Sequence, residues 1–195
     1  MKKAIVPKRI DQLLPCYAAR DAIGTHTTSI QRLLEAKGFA SGVYAEMCGG
    51  GLPIECRPAD EFFSKSSRDS IVIHHFSTGS WLPGRLLNNH AFKVTNYHNI
   101  TPPIFFSSTG EEAAFESSRR GRSQIPMVRL STDVSWTESK YNSQELANYG
   151  YPEAKIFPIL RDYGALANHP NDDELSRALK KGKKKHFICR ENGCE

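Results

Sequence analysis

The stretch Asp69-Ser70-Ile71-Val72-Ile73-His74-His75 decides the fold. Its centre is continuous, apolar and β-branched, and polar residues bound it. A run of that kind is expected as a strand covered on both faces, as the inner strands of parallel sheets are. Working outward, the small residues Ser77-Thr78-Gly79-Ser80 form a turn, a short helix is expected over Trp81 to Asn89, and Ala91 to Tyr97 supplies the next strand. His98-Asn99-Ile100-Thr101 then leads into Pro102-Pro103, which ends the regular element.

Towards the N-terminus, a first strand is expected over Lys3 to Ile10, with Pro7 favouring a bulge or an early end, and Leu14 to Gly24 is expected as a loop. Asp21 is placed to cap a helix whose apolar positions Ile23, Ile30, Leu33 and Leu34 recur at helical spacing. Gly38 follows Lys37 and terminates it, and Ser41 to Ala45 forms a short second strand. This is a βαβ unit, which implies a parallel sheet with a right-handed crossover. Gly49-Gly50-Gly51, with Pro53 and Pro58, marks a long surface loop.

Towards the C-terminus, Glu111 to Arg129 is expected as a helix interrupted near Gly121 and Pro126, followed by a strand at Asp133 to Trp136. Capping boxes at Asn142-Ser143-Gln144-Glu145 and Asn171-Asp172-Asp173-Glu174 start two further helices, the first ending at Gly150. Ala154 to Leu160 and Phe187-Ile188-Cys189 are the last expected strands. The alternation gives an α/β fold: a Rossmann-like open parallel sheet with helices on both faces.

Composition bounds the function. The chain has 195 residues, 39% apolar and 24% charged, which is globular composition and excludes a fibre, a coiled coil or general disorder. No segment approaches the roughly 20 apolar residues that cross a bilayer. Pro7, Lys8, Arg9 and Asp11 cut short the signal-like start, so the expected location is the cytoplasm. The net charge of +5 is matched by Lys180, Lys181, Lys183, Lys184 and Lys185 alone. A nucleic-acid partner is not expected, because its protein should carry positive charge along a whole face. The cluster reads as a solvated turn, with a patch for anionic lipid as the alternative. Five cysteines, at 16, 48, 56, 189 and 194, are expected to be reduced thiols, although Cys48 and Cys56 could meet across the glycine loop. No spacing matches a structural zinc site, and no metal is expected.

Ligands of such sheets bind at the C-terminal strand ends. Three segments qualify. At Ala19-Arg20-Asp21-Ala22-Ile23-Gly24, a helix N-terminus offers free N–H groups to an anion or a sugar hydroxyl. No Gly-x-Gly-x-x-Gly or Walker loop accompanies it, and Asp21 as a cap alone is the plainer reading. His74 to Ser80, including Ser77, allows close backbone approach, or is a crowded turn with a buried histidine. At Tyr97 to Pro103, His98 can donate to a substrate hydroxyl or accept its proton near neutral pH, or it simply packs on the second segment.

Several stretches, in order, resemble the N-terminal domain of the retaining, family 4 type glycosyltransferases of the GT-B fold. They are Gln12 to Pro15 with Asp21-Ala22-Ile23-Gly24, Leu33 to Ser41, Tyr97 to Pro103, Ser139 to Leu146 with Gly150-Tyr151, and Phe157 to Leu160. The resemblance implies hexosyl transfer from a nucleotide-sugar to a glycan or lipid-linked acceptor, with His98 against the transferred sugar. The loop at Arg20, Asp21 and Gly24 would approach the donor diphosphate, and Ser77 would line the same rim. Arg20 stands where that family has glycine. The resemblance also implies no active-site metal, a sugar or glycolipid acceptor as partner, and peripheral association with the cytoplasmic membrane face. Residues 1–183 are expected as the acceptor-side domain, and 184–195 as the first strand of a C-terminal donor-binding domain that this chain lacks. A separate C-terminal half is the expected partner, and the chain alone is expected to be inactive. Glu145 and Glu153 have a Glu-x7-Glu spacing but lie in the wrong half. The alternative is a non-catalytic Rossmann-like binding or scaffold protein.

Overall fold

A computed structural model describes residues 7, 9–19, 21–107 and 110–161, with two short strands at 189–190 and 193–194. Seven strands, β1 (Arg9–Tyr17), β2 (Val43–Cys48), β3 (Cys56–Pro58), β4 (Ser70–Phe76), β5 (Phe92–Tyr97), β6 (Val134–Thr137) and β7 (Lys155–Ile156), form one parallel sheet. Their order is β3-β2-β1-β4-β5-β6-β7. The chain moves outward from β1 to β3, then returns to the other side of β1 with β4 and continues the opposite way. That reversal between β1 and β4 is a topological switch point. The connecting helices are α1 (Ala22–Ala36), α2 (Ala59–Lys65), α3 (Leu82–Leu86), α4 (Glu112–Leu130) and α5 (Lys140–Asn148).

Strand alternation sorts the core into two layers. Leu13, Tyr44 and Val72 pack with Phe62 of α2 and with Leu82 and Leu86 of α3. On the same side, Phe76 and Tyr97 pack with Ile125 and Val128 of α4 and Leu146 of α5. The alternate residues Ile73 and Val94 meet Ile30 of α1 on the opposite face. Each such aliphatic or aromatic side chain contributes roughly 1.5–3 kcal/mol by leaving water. The expected open α/β sheet with helices on both faces is therefore what the chain forms.

Several elements differ from the sequence reading. Among the described residues the first strand is Arg9–Tyr17, so it continues past Ile10 and Leu14 to Tyr17 is strand rather than loop. Residues 3–6 and 8 lie outside the described residues. Asp11 and Gln12 look like a polar break in the sequence. In the fold both find partners: Arg9 Nε donates to Asp11 Oδ2 at 2.6 Å, and Gln12 Nε2 donates to Thr27 O at 3.1 Å. Pro15 is tolerated because β1 pairs with β4 only as far as Leu13. The strand β3 and the helix α2 are additional to the expected elements. Helix α4 is continuous through Gly121 and Pro126. A β-carbon on Gly121 would lie 2.7 Å from Gly79 N, so the glycine lets α4 cross the loop after β4 rather than breaking the helix. Helix α5 begins at Lys140, where Ser139 Oγ accepts from Asn142 N at 3.2 Å, three residues before the expected start.

Cys48 and Cys56 form a disulfide that closes the glycine-rich loop, against the expectation of reduced thiols. The loop turns back on itself and brings the two sulfurs together, which spacing alone could suggest but not decide. The chain divides into two compact units, Met1–Arg161 and Asp162–Glu195. In the second unit β8 (Cys189–Arg190) pairs antiparallel with β9 (Gly193–Cys194). The expected boundary at 183/184, the helix at Asn171 and the lysine cluster lie outside the described residues.

Candidate functional site at the C-terminal edge of the sheet

All seven strands of the sheet are parallel, so they present their C-terminal ends on one edge. Asp21 follows β1, Ser77 follows β4 and His98 follows β5, and these strands are neighbours. The three candidate residues thus share one rim, around the switch point.

Asp21 caps α1, its Oδ2 accepting from Gly24 N at 3.2 Å. Gly24 is there for contact: a β-carbon would sit 2.2 Å from the Ala18 carbonyl oxygen. The first turn of α1 is pressed onto the end of β1. Beside it lies a cavity of about 280 Å³ lined by Ala18, Ala19, Gly24, Thr25, Thr28 and the disulfide-closed loop at Gly51 and Pro53. Arg20 lies outside the described residues. Ser77 is half-buried, and the turn after it is taken up by α4. Gly79 N donates to Ser117 O at 3.0 Å, and Gln124 Nε2 donates to Ser80 O at 2.6 Å.

The loop carrying His98 is braced from the other face. Tyr97 Oη donates to Glu145 Oε2 at 2.5 Å, and Arg122 donates to both Glu145 Oε1 and Ile100 O at 2.6 Å. Burial, then the bond to Glu145, holds the Tyr97 hydroxyl above its ordinary range. Glu145 therefore braces the β5 turn, which includes Asn99 at φ 60°.

The main feature of the site is a buried polar layer between the sheet and α1. Alternation puts Gln12, His75, Asn96, His98 and Glu138 on the α1 face, and α1 adds His26 and Gln31. His75 Nε2 lies 3.0 Å from Gln12 Oε1, and His75 Nδ1 lies 2.9 Å from His98 Nε2. The His98 Nδ1 is paired with Glu138 Oε1. Leu160 N donates to His26 Nδ1 at 2.8 Å, which leaves the ring proton of His26 on Nε2; the Asn96 side-chain amide lies 3.2 Å from that nitrogen and accepts the proton when its Oδ1 is the atom turned towards it. Burial, with His98 adding to it, pushes His26 down to about 4 and His75 well below the ordinary histidine value. His74 points to the opposite face, stacked on Phe76, and neither of its ring nitrogens has a hydrogen-bond partner. Burial pushes it down to about 3.

His98 thus lies at the expected rim, but its side chain is only 1% exposed and both ring nitrogens are engaged. The sequence reading missed Gln12, His26, Asn96 and Glu138. Strand period would have found Asn96 and Glu138, each two residues from a neighbour on the α1 face. Gln12 was hidden by the misplaced first strand. Among the described residues no group of three or more His, Cys, Asp or Glu side chains is arranged to hold a metal ion. Among them, too, no helix is long and apolar enough to cross a membrane. The fold and rim define an open, Rossmann-like parallel α/β domain. No protein-family model matches the chain, and no curated protein matches it significantly.

Proposed function

We propose that this chain is the acceptor-side domain of a glycosyltransferase that moves a hexosyl group from a nucleotide-sugar to a glycan or lipid-linked acceptor. The observation that carries the reading is the cavity at the C-terminal end of β1, next to the N-terminus of α1 and the loop after β2. Free N–H groups and the helix dipole there suit a diphosphate oxygen, and a leaving diphosphate needs such donors as its charge develops. Threonine hydroxyls and small residues in the lining suit the polar edge of a sugar. The reading assigns Asp21, Gly24 and Ser77 to the donor side, with Arg20 as a cation for phosphate, and places His98 just behind the sugar-facing part of the rim, where both its ring nitrogens are engaged. A facing surface, on a further domain or a separate chain, supplies most of the donor contacts. The same reading puts the protein in the cytoplasm, at the membrane face when the acceptor is a lipid.

The test is a titration of the full chain with UDP, GDP and methyl hexosides, followed by amide shifts. The reading expects millimolar glycoside binding, weaker nucleotide binding, and shifts confined to the rim segments 18–25, 77–80, 98–101 and 136–140. Shifts elsewhere, or none, refute it. One observation favours a second reading, a non-catalytic binding domain: the polar side chains of the rim are largely spent on one another. That reading expects His98→Ala to leave every ligand interaction unchanged.

A further inference from the structure

We propose that Glu138 is the rim group that meets a ligand hydroxyl, and that His98 is a positioning residue whose imidazolium holds the Glu138 carboxylate from behind. The ligand class rests on the glycosyl-transfer reading above; the proton assignment does not.

The assignment follows from hydrogen-bond direction. The Thr27 carbonyl can only accept, so the Gln12 atom 3.1 Å from it is the amide nitrogen. That orientation turns Gln12 Oε1 to His75, and an oxygen of that kind only accepts. His75 therefore donates through Nε2–H, over 3.0 Å. His75 is held neutral, so its Nδ1 carries a lone pair. His98 Nε2, 2.9 Å away, must then donate to it. The other His98 nitrogen faces the Glu138 carboxylate, which also needs a donor. With both ring nitrogens donating, His98 is an imidazolium, and the pair with Glu138 is neutral overall.

This arrangement separates the roles of the two residues. The His98 side chain is 1% exposed and has no nitrogen left for a ligand, whereas the Glu138 side chain is 17% exposed, immediately beyond the end of β6. A carboxylate so held keeps a fixed direction, and it accepts from a sugar hydroxyl with the strength of a charged hydrogen bond. The titratable groups facing His98 are His26 from α1, His75 from β4 and Glu138 beyond β6, with ring centroids of the two histidines 5.8 and 5.1 Å away. Neither of those histidines takes up a proton near neutral pH, because burial opposes it. The Phe157 ring closes the same side against His26, at 5.6 Å.

The test uses the full chain with ¹⁵N-labelled histidine. Long-range proton–nitrogen spectra at pH 7 are expected to show both His98 nitrogens protonated and His75 protonated on Nε2 alone. In Glu138→Gln, whose amide needs no charged donor, His98 is expected to keep its proton on Nε2 and to lose the one on Nδ1 at pH 7. A singly protonated His98 at pH 7 overturns the proposal. The second arm measures binding of methyl α-D-glucopyranoside: Glu138→Gln is expected to weaken it at least tenfold, and Glu138→Asp to recover part of the loss. Parent-like binding by Glu138→Gln overturns this proposal and leaves the glycosyl-transfer reading standing. Absence of glycoside binding by the parent chain overturns the ligand assignment and that reading together.

Discussion

Acidification from pH 7 to pH 5 is the most informative perturbation of this fold. His26, His74 and His75 are buried in the native state and held neutral, His26 down to about 4 and His74 to about 3. The unfolded chain binds a proton at each of them below the ordinary value of 6.5. Between that value and the native one, the unfolded state holds more protons, so stability falls as the pH falls. The contribution of each ring is fully present above 6.5 and is lost as the pH drops towards its native value. From pH 7 to pH 5 each ring costs about 2 kcal/mol, and the three together about 6 kcal/mol. That is comparable with the whole stability of an ordinary domain, about 5–15 kcal/mol. Asp11, whose carboxyl is raised by burial, works in the opposite direction at the acid end. Urea unfolding followed by the fluorescence of Trp81 and Trp136 at pH 7, 6 and 5 measures the slope. A total loss under about 2 kcal/mol would mean that fewer than two of the three rings are buried neutral, and would refute the polar layer as described.

Three further outcomes follow from single contacts. His74→Phe removes a buried ring with two unpaired nitrogens, so it is expected to raise stability at pH 7 by about 1 kcal/mol and to flatten the acid slope by one proton, read from the same urea series. Gly24→Ala puts a methyl 2.2 Å from a backbone oxygen, so α1 must lift from β1; a loss of about 2–3 kcal/mol is expected by thermal or urea unfolding. Reduction of the Cys48–Cys56 bridge frees a loop with a sequence separation of 8 and is expected to cost about 2.5 kcal/mol, measured as a lowered urea midpoint with and without reductant.

Local patterning was enough for much of the framework. The β-branched run at Ser70 to Ile73, the Asp21 cap with the Gly38 stop, and the strand before His98 all carry signals within a few residues of themselves. Alternation of such elements specifies a parallel α/β sheet, and parallel strands put Asp21, Ser77 and His98 on one edge. Boundaries went wrong where a local rule met a tertiary partner. Gln12 stays in a strand because Thr27 and His75 satisfy it, and Gly121 stays in a helix because Gly79 needs the room.

The sequence alone determined the architecture and the rim, since hydrophobic period and caps act over one or two turns of chain. Only the tertiary structure decided which polar groups pair. Gln12 meets His75 across 63 positions, His26 meets Asn96 across 70, and Leu160 reaches His26 across 134. Hydrogen bonds are directional and short, so the protonation of His98 and the exposure of Glu138 exist only once β1, β4, β5, β6 and α1 have closed around one another.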